Sequence, residues 1–252
     1  AFVVATFCSG PPWNVPWSAC PVNPHETLHW GGLQSMDRGH TPYVGPASVN
    51  YGPGAQLAMY AYIDATDQVT LSGIRETFAV ALWLAVFLYC AVVMLALPPP
   101  QAAVAVGLML VVSPVAGWSW QVNGVLVGFF GWANLLRNIA TLVLSFAVYG
   151  LVRLGLDRRT GRVAAFLVGA AWGGFAFYSQ ENLFGGVLII GFLLGLAVAG
   201  RLLALRDGIV GGLLLCGGFA AVWLPVLLFY LQSGRLGEAI HNYFLVPGRF
   251  MK

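Results

Sequence analysis

Six runs of apolar residues are separated by short polar segments along most of the chain. The runs cover residues 78–97, 102–118, 139–156, 163–178, 183–200 and 209–231. A helix needs about 20 apolar residues, or 17–25 with tilt, to cross the hydrocarbon core of a bilayer. Each run therefore predicts one transmembrane helix. The triplet Pro98-Pro99-Pro100 predicts a break between the first helix and the second.

The region before the first run is the longest polar stretch. Residues 8–54 are rich in Pro, Gly, Trp and His, and residues 55–71 mix aromatic side chains with Asp64 and Asp67. The second pattern is typical of a short helix at a membrane surface. We expect one membrane domain over 1–252, with an extracytoplasmic loop and interfacial helix at 1–75, a bundle at 76–231 and an extracytoplasmic segment at 232–252. The sequence lacks an initial Met and stops after a polar loop, so either an N-terminal signal was removed or, as we favour, the chain is a fragment truncated at both ends.

Composition agrees with a lipid environment. The 252 residues are 59% hydrophobic and 8% charged, with a mean hydropathy of +0.79. A soluble domain carries roughly 25% charged residues to cover its surface. The predicted fold class is therefore an all-α polytopic transmembrane bundle of about six spans, with short surface helices in its first loop. The formal charge of +3 gives no reason to expect a nucleic-acid partner.

Arginine placement predicts the orientation in the membrane. Short loops enriched in arginine face the cytoplasm, and the loops after the third and fifth spans contain Arg153, Arg158, Arg159, Arg162, Arg201 and Arg206. By alternation, segments 8–75, 118–138, 178–182 and 232–252 face outward. We expect a multi-pass protein of the cytoplasmic membrane with its active site on the extracytoplasmic side. The spans have no charged residue near their centres, which disfavours a transporter.

Glycines and cysteines within the spans have a simple structural interpretation. Small residues allow membrane helices to approach closely, so the many span glycines are expected to pack helices rather than bind a ligand. Cys90 and Cys216 are expected to be small apolar packing residues. Cys8 and Cys20 lie in the first loop, where either a disulfide or two free thiols fits the sequence.

The first loop also contains a possible zinc motif. His25-Glu26-Thr27-Leu28-His29 fits the H-E-x-x-H pattern of zinc peptidases. Such a site needs a helix that continues on both sides and a third ligand. The following Gly31-Gly32 argues against a long helix here, so a peptidase is the least favoured interpretation. A solvated loop without catalysis is another alternative.

The order of motifs in the N-terminal third resembles the start of the GT-C superfamily of polytopic glycosyltransferases, which includes protein mannosyltransferases and lipopolysaccharide glycosyltransferases. The resemblance is carried by an acidic residue in the first outward loop, a later Gly-x-x-Pro-Tyr segment, a Tyr-Gly-Pro-Gly segment and an Arg before a span. The residues are His25-Glu26, Asp37-Arg38-Gly39-His40-Thr41-Pro42-Tyr43, Tyr51-Gly52-Pro53-Gly54 and Arg75. His25 stands where the family commonly has Asp. Family members usually have ten or more spans, which agrees with a fragment.

The resemblance implies inverting transfer of a sugar from a polyprenyl-phosphate donor to an extracytoplasmic lipid or glycan acceptor. A carboxylate must take the acceptor's proton, and cations or hydrogen-bond donors must bind the departing phosphate. Glu26 is the first choice for the base and Asp37 the second. A divalent metal is an open question, and no ligands are assigned to one. The expected substrate-binding residues are His25, His29, His40, Tyr43, Tyr51, Arg75, Arg137, Gln180, Glu181 and His241.

Several of these residues have competing interpretations. His29 would orient Glu26 or help hold a metal, or it would only form hydrogen bonds within the loop. Arg137 would contact phosphate or anchor the chain at the interface together with Trp132. For the chain as a whole, the alternative to an enzyme is a non-catalytic polytopic protein, such as a transporter or an assembly subunit.

Overall fold

The computed structural model of the chain describes residues 24–41, 43–45, 53–66, 84, 86–118, 121–122, 125–126 and 128–244. Side chains within 24–30 and 109–138, and those at positions 55, 59, 62 and 63, lie outside this description. The predicted contributions of Cys8, Cys20, Tyr51 and Arg75 also fall outside the described residues.

The described part of the chain is almost entirely helical. The helices, in chain order, are α1 (Pro24–Asp37), α2 (Pro53–Thr66), α3 (Val86–Ala96), α4 (Pro99–Trp118), α5 (Gly128–Leu154), α6 (Arg159–Tyr178), α7 (Gln180–Ala199), α8 (Leu205–Gln232) and α9 (Leu236–Phe244). Two strands of two residues each, β1 (Gln121–Val122) and β2 (Val125–Leu126), pair antiparallel between α4 and α5. The predicted all-α class is confirmed at this level.

Three helices, α6, α7 and α8, are long and apolar enough to cross a membrane. They contain the fourth, fifth and sixth predicted spans. Large apolar side chains on their outer surfaces are exposed, including Leu188 (72%) and Leu213 (68%). Such a surface is stable in contact with lipid and is unusual in water. The structure thus supports a membrane-embedded helical protein.

The closest helix pair is α6 with α8, and glycines form its contact. A Cβ added to Gly169 would overlap the backbone of Leu215, and one added to Gly218 would overlap the backbone of Phe166. Gly173 faces Phe219 in the same row. The expectation that span glycines pack helices is confirmed at these positions, because only a hydrogen atom fits between the two backbones.

Other helices pack against this pair or against each other. Helix α6 also packs against α5, α7 and α2, and α1 packs against α2 and α5. At the far end of α3, the Arg153 Nη1 atom donates a hydrogen bond of 2.9 Å to the carbonyl oxygen of Ala96. That cation satisfies a terminal carbonyl at the negative end of a helix. Cys90 lies in α3 and Cys216, which is exposed, lies in α8; neither forms a disulfide with another described cysteine.

Three local expectations need correction. Helix α1 continues through Gly31 and Gly32 to Asp37, with buried Leu33 and Met36 in its second half. Tertiary burial thus outweighs the weak helix propensity of glycine. The outward loop expected over 118–138 is shorter, since α5 begins at Gly128. The expected turn over 178–182 is a single extended residue, Ser179, between α6 and α7.

The chain breaks at the proline triplet, whereas Pro114 lies inside α4. Leu97 and Pro98 separate α3 from α4, and Pro99 is the first residue of α4. Pro225 also lies inside a helix, α8. It removes one backbone donor there, between the glycine contact with α6 and the last two turns of the helix.

Candidate functional site

Distant parts of the chain meet at one end of the bundle. Tyr43 and Val44 from the first loop pack with Tyr230 at the end of α8 and with Ala239 and Tyr243 of α9. We call this group of five buried residues the aromatic cluster. Leu183 from the first turn of α7 packs against it. Three segments predicted to face the same side of the membrane therefore lie together in space.

Polar contacts hold the first loop against α9. The Asn242 Nδ2 atom donates to the carbonyl oxygen of Tyr43 at 2.9 Å. The backbone N–H of Gly45 donates to Glu238 Oε1 at 2.6 Å, and Arg235 Nη1 donates to Glu238 Oε2 at 2.9 Å. These contacts support an unusual backbone at Tyr43, whose φ of 64° lies in the left-handed region. Such a conformation costs of order 1–3 kcal/mol in a residue other than glycine.

Aromatic rings connect the cluster to the glycine contact of α6 and α8. Trp223 meets Tyr243 edge to face at a centroid distance of 5.0 Å and stacks on Phe219 at 5.9 Å. Its Nε1 atom donates to the carbonyl oxygen of Gly173 at 3.1 Å. The Tyr243 hydroxyl donates to the carbonyl oxygen of Ala176 at 2.6 Å. Helix α9 is thus fixed to α6 and α8 by both packing and hydrogen bonds.

A small cavity of about 30 Å³ lies beside the cluster, lined by apolar atoms of α8 and α9 together with Tyr43 and Pro53. Its lining is apolar, so this cavity offers the hydroxyl groups of a sugar no hydrogen-bond partner. Pro53 and Gly54 belong to the Tyr-Gly-Pro-Gly segment. A Cβ on Gly54 would overlap Phe177, so this segment also packs at the same end of the bundle.

Burial dominates the electrostatics of the cluster. It raises the pKa of Tyr43 well above its ordinary value of 10, and the neighbouring Tyr230 raises it further. Burial likewise raises the pKa of Tyr243, with a smaller contribution from Tyr43. The Tyr43 hydroxyl has no hydrogen-bond partner among the described residues. Both phenols therefore remain neutral at physiological pH and are unsuited to act as bases.

The pKa of Glu238 is shifted downward, in contrast to the raised pKa values of the tyrosines. The hydrogen bond from the Gly45 backbone lowers the pKa of this carboxyl group, and the bond from Arg235 lowers it further. Glu238 is therefore ionised at neutral pH and already engaged by two donors, so it is better suited to holding the loop than to proton transfer.

Segment 178–182, predicted as a polar turn, contains buried polar residues that form part of the fold. Ser179 and Asn182 are buried. The Asn182 Nδ2 atom donates to the Phe175 carbonyl at 3.0 Å, and Trp172 Nε1 donates to the Asn182 carbonyl at 3.1 Å. Gln180 is half-buried at the start of α7, and Glu181 next to it is exposed. Of this segment, Glu181 remains the residue most accessible to a ligand.

The two candidate bases lie at opposite ends of α1. Glu26 is in the first turn and Asp37 is the last residue. With a rise of 1.5 Å per residue, their backbones are about 16 Å apart, so the two carboxylates cannot serve one proton transfer together. His29 is one turn from Glu26 on the same helix. The side chains of His25, Glu26 and His29 are outside the described part.

Some of the other predicted site residues are accessible to a ligand, and others are part of the packed fold. Asp37 and His40 are exposed near the start of the loop that leads to Tyr43, and His241 is half-buried on α9. Tyr43 is a buried residue of the aromatic cluster, only 1% exposed. Arg137 is the tenth residue of α5 rather than a loop residue. Among described residues, no group of three or more His, Cys, Asp or Glu side chains is arranged to bind a metal.

Sequence reasoning missed Glu238, Asn242 and Trp223. Arg235 and Glu238 are three residues apart. This spacing favours an ion pair on a helix, so it is a sequence signal for α9. The partners of Glu238 and Asn242 are nearly 200 residues away in sequence. No local pattern reveals a pairing of that kind.

The opposite end of the bundle is different in character. The six arginines used to predict topology lie in or next to the turns between α5 and α6 and between α7 and α8, and all six are exposed. Leu156 and Leu203, one from each turn, belong to the same buried cluster. The two turns therefore lie at the same end, away from Tyr43 and α9.

Comparisons with protein-family models, with curated proteins and with solved structures find no match to this chain. The assignment of function therefore depends on the residues and geometry above.

Proposed function

We propose that this chain is the membrane domain of a GT-C-like glycosyltransferase. It would transfer a sugar, with inversion, from a polyprenyl-phosphate donor to a lipid or glycan acceptor. The single observation that carries the proposal is the meeting of the first loop, the start of α7 and α9 at one end of an apolar bundle. Chemistry between a lipid-linked donor and a second substrate needs such a surface at the membrane boundary.

The full proposal includes six spans in the cytoplasmic membrane, with the aromatic end on the extracytoplasmic side. Three helices of adequate length and the position of the arginines at the other end support it. Helices α3, α4 and α5 would supply the other three spans. The orientation follows from the positive-inside rule.

Glu26 is the proposed general base because it stands at the position that the resemblance assigns to the catalytic acid, in the first turn of α1. His29, one turn further on, would hold it in position. His40, Glu181 and His241 are exposed or half-buried and would contact sugar or phosphate. Arg75 and Arg137 would contact the departing phosphate. Tyr43 contributes by fixing the loop rather than by acid–base chemistry.

The test is sugar transfer by the purified chain in liposomes supplied with radiolabelled polyprenyl-phosphate sugars. Loss of a general base lowers the rate by about 10²- to 10⁴-fold, so Glu26→Gln should abolish detectable transfer. Asp64→Asn is the matched control, since Asp64 is exposed on α2 and has no assigned role. Asp37→Asn tests the second candidate. Circular dichroism confirms that each variant keeps its helical content.

The outcomes separate the alternatives. Loss of transfer in Asp37→Asn but not in Glu26→Gln would move the base to the other end of α1. No transfer by the wild-type chain with any donor would favour a non-catalytic polytopic protein. Stoichiometric zinc, lost in His25→Ala and His29→Ala, would favour a peptidase instead.

A further inference from the structure

The end of the bundle opposite the aromatic cluster concentrates positive charge. Six of the twelve basic residues in the chain lie in 153–162 and 201–206. Two acids accompany them: Asp157 lies within the first range and Asp207 directly follows the second. The formal charge of this end is thus +4, more than the +3 of the whole chain. We call residues 153–162 and 200–207, which include the two turns, the arginine face.

Four of these arginines have no partner to neutralise them. Arg158, Arg159, Arg201 and Arg206 are exposed, and their side chains form no ion pair or hydrogen bond within the part of the chain that the structure describes. By contrast, Arg235 at the other end is paired with Glu238. Exposed arginines usually gain little from a partner in water, but these lie beside helices that are apolar enough to enter a membrane.

Their positions on the helices are electrostatically unfavourable. Arg158 is the N-cap of α6 and Arg159 its first residue, and no side chain caps that helix end. Arg206 is in the first turn of α8, whose N-cap, Ala204, also provides no capping side chain. A helix N-terminus carries partial positive charge and stabilises anions, so cations there are of the wrong sign. A bound anion would satisfy both the arginines and the free backbone N–H groups.

Arg201 differs from the other three arginines because it follows a helix C-terminus. After α7, the Leu202 N–H bonds to the Ala197 carbonyl and the Arg201 N–H to the Val198 carbonyl. This is a Schellman ending, and Arg201 has the left-handed φ of 57° that the motif requires. Glycine is the usual residue at that position. A cation at the negative end of α7 has the favourable sign for that helix end, and the exposed guanidinium of Arg201 stays accessible to a ligand.

Exposed apolar side chains lie among or next to the arginines of this face. Leu154, Leu202, Leu205 and Ile209 are between 49% and 72% exposed. A ligand for this face therefore needs a phosphate for the arginines and hydrocarbon for the leucines. That combination favours a phospholipid over a free phosphate.

We infer that the arginine face binds the phosphate group of an anionic phospholipid, whose acyl chains lie along Leu202, Leu205 and Ile209. Basic pockets between membrane helices recognise anionic headgroups by this combination of charge and apolar surface. The inference does not rest on the proposed transfer reaction, because it concerns the other end of the bundle and is measured without turnover.

The experiment uses the full chain purified in a neutral detergent. Phosphatidylglycerol, phosphatidylcholine and inorganic phosphate are titrated separately, and bound lipid is counted by native mass spectrometry alongside the melting temperature. Each arginine near a headgroup contributes about fivefold in affinity. The triple variant Arg158→Gln/Arg159→Gln/Arg206→Gln should therefore bind phosphatidylglycerol on the order of 100-fold more weakly. Arg38→Gln, which removes one exposed charge from the other end, should bind as the wild type does.

Arg201→Gly separates binding from folding. It should weaken phosphatidylglycerol binding about fivefold while the melting temperature in lipid-free detergent stays the same or rises. The inference is overturned if phosphatidylcholine binds as tightly as phosphatidylglycerol, or if the triple variant binds like the wild type. It is also overturned if inorganic phosphate stabilises the protein as much as the lipid does.

Discussion

The two ends of the bundle differ in whether their polar and charged side chains have partners within the protein. At the aromatic end, Tyr43, Tyr230 and Tyr243 are at most 3% exposed, and the polar groups of α9 bond to the first loop. At the arginine face, four cations are exposed without a described partner, and three of them lie at helix N-termini. Satisfied contacts stabilise the chain by themselves. The four exposed arginines make no internal contact of that kind, so the comparison separates an end whose side chains fix the tertiary fold from an end whose charges face outward.

The largest loss of stability should come from removing a ring from the aromatic cluster. Tyr243→Ala removes a buried ring, its hydrogen bond to Ala176 and its contact with Trp223. Large-to-small changes at buried aromatic positions cost about 3–5 kcal/mol. We expect that loss in the free energy of unfolding, measured by denaturant titration in detergent. Ile240→Ala, at the exposed neighbouring position, is the control and should cost less than about 1 kcal/mol. Equal losses would show that α9 is not docked as described.

A smaller loss should follow when the first loop is released. Asn242→Ala removes the hydrogen bond to the Tyr43 carbonyl. Leaving a buried acceptor unpaired costs about 1–3 kcal/mol. We expect hydrogen exchange to rise at Val44 and Gly45 while α6 stays protected. Unchanged exchange in the loop would mean that Asn242 does not hold it.

Glu238 should make stability depend weakly on pH. Its carboxyl pKa is lowered in the folded state from an ordinary 4.5. The stabilisation is therefore complete above pH 4.5 and is lost as the pH falls through the lowered value. Because the group is accessible to solvent, we expect less than about 1 kcal/mol. Thermal unfolding of wild type and Glu238→Gln should differ at pH 7 and converge at acid pH. A constant difference would exclude ionisation as the cause.

The smallest effect should appear at the arginine face. Arg158→Gln removes an exposed cation from the N-terminus of α6. Surface substitutions of this kind change stability by less than about 0.5 kcal/mol, and relief of the unfavourable dipole interaction acts in the stabilising direction. We expect an unchanged or slightly higher melting temperature in lipid-free detergent. A large loss would place Arg158 among the residues needed for folding.

Hydropathy predicted the ends of the long helices better than their beginnings. The runs 163–178, 183–200 and 209–231 correspond to Arg159–Tyr178, Gln180–Ala199 and Leu205–Gln232. Each helix starts three or four residues earlier than its run. The first turn of a membrane helix has free N–H groups that favour a polar environment, and Arg159, Gln180 and Arg206 therefore fall outside an apolar run although they are helical.

The candidate site was less predictable from sequence. Placing segments 178–182 and 232–252 on the same side as the first loop correctly anticipated that they would meet. Their roles were harder to assign: Tyr43 was expected to bind substrate and is buried, whereas Glu238 was not singled out and holds the loop. Such roles depend on which residues meet across nearly 200 positions. A single sequence contains no local signal for that distance.

The proline within α8 has a mechanical consequence. Pro225 lies between the glycine contact with α6, which ends near Trp223, and the last turns that carry Tyr230 and lead into α9. Because proline leaves a carbonyl of the preceding turn without its helical partner, bending concentrates at this step. If a substrate pushed on α9, the end of α8 would bend at Pro225. The closely packed backbones of α6 and α8 on the other side of Pro225 would stay in place.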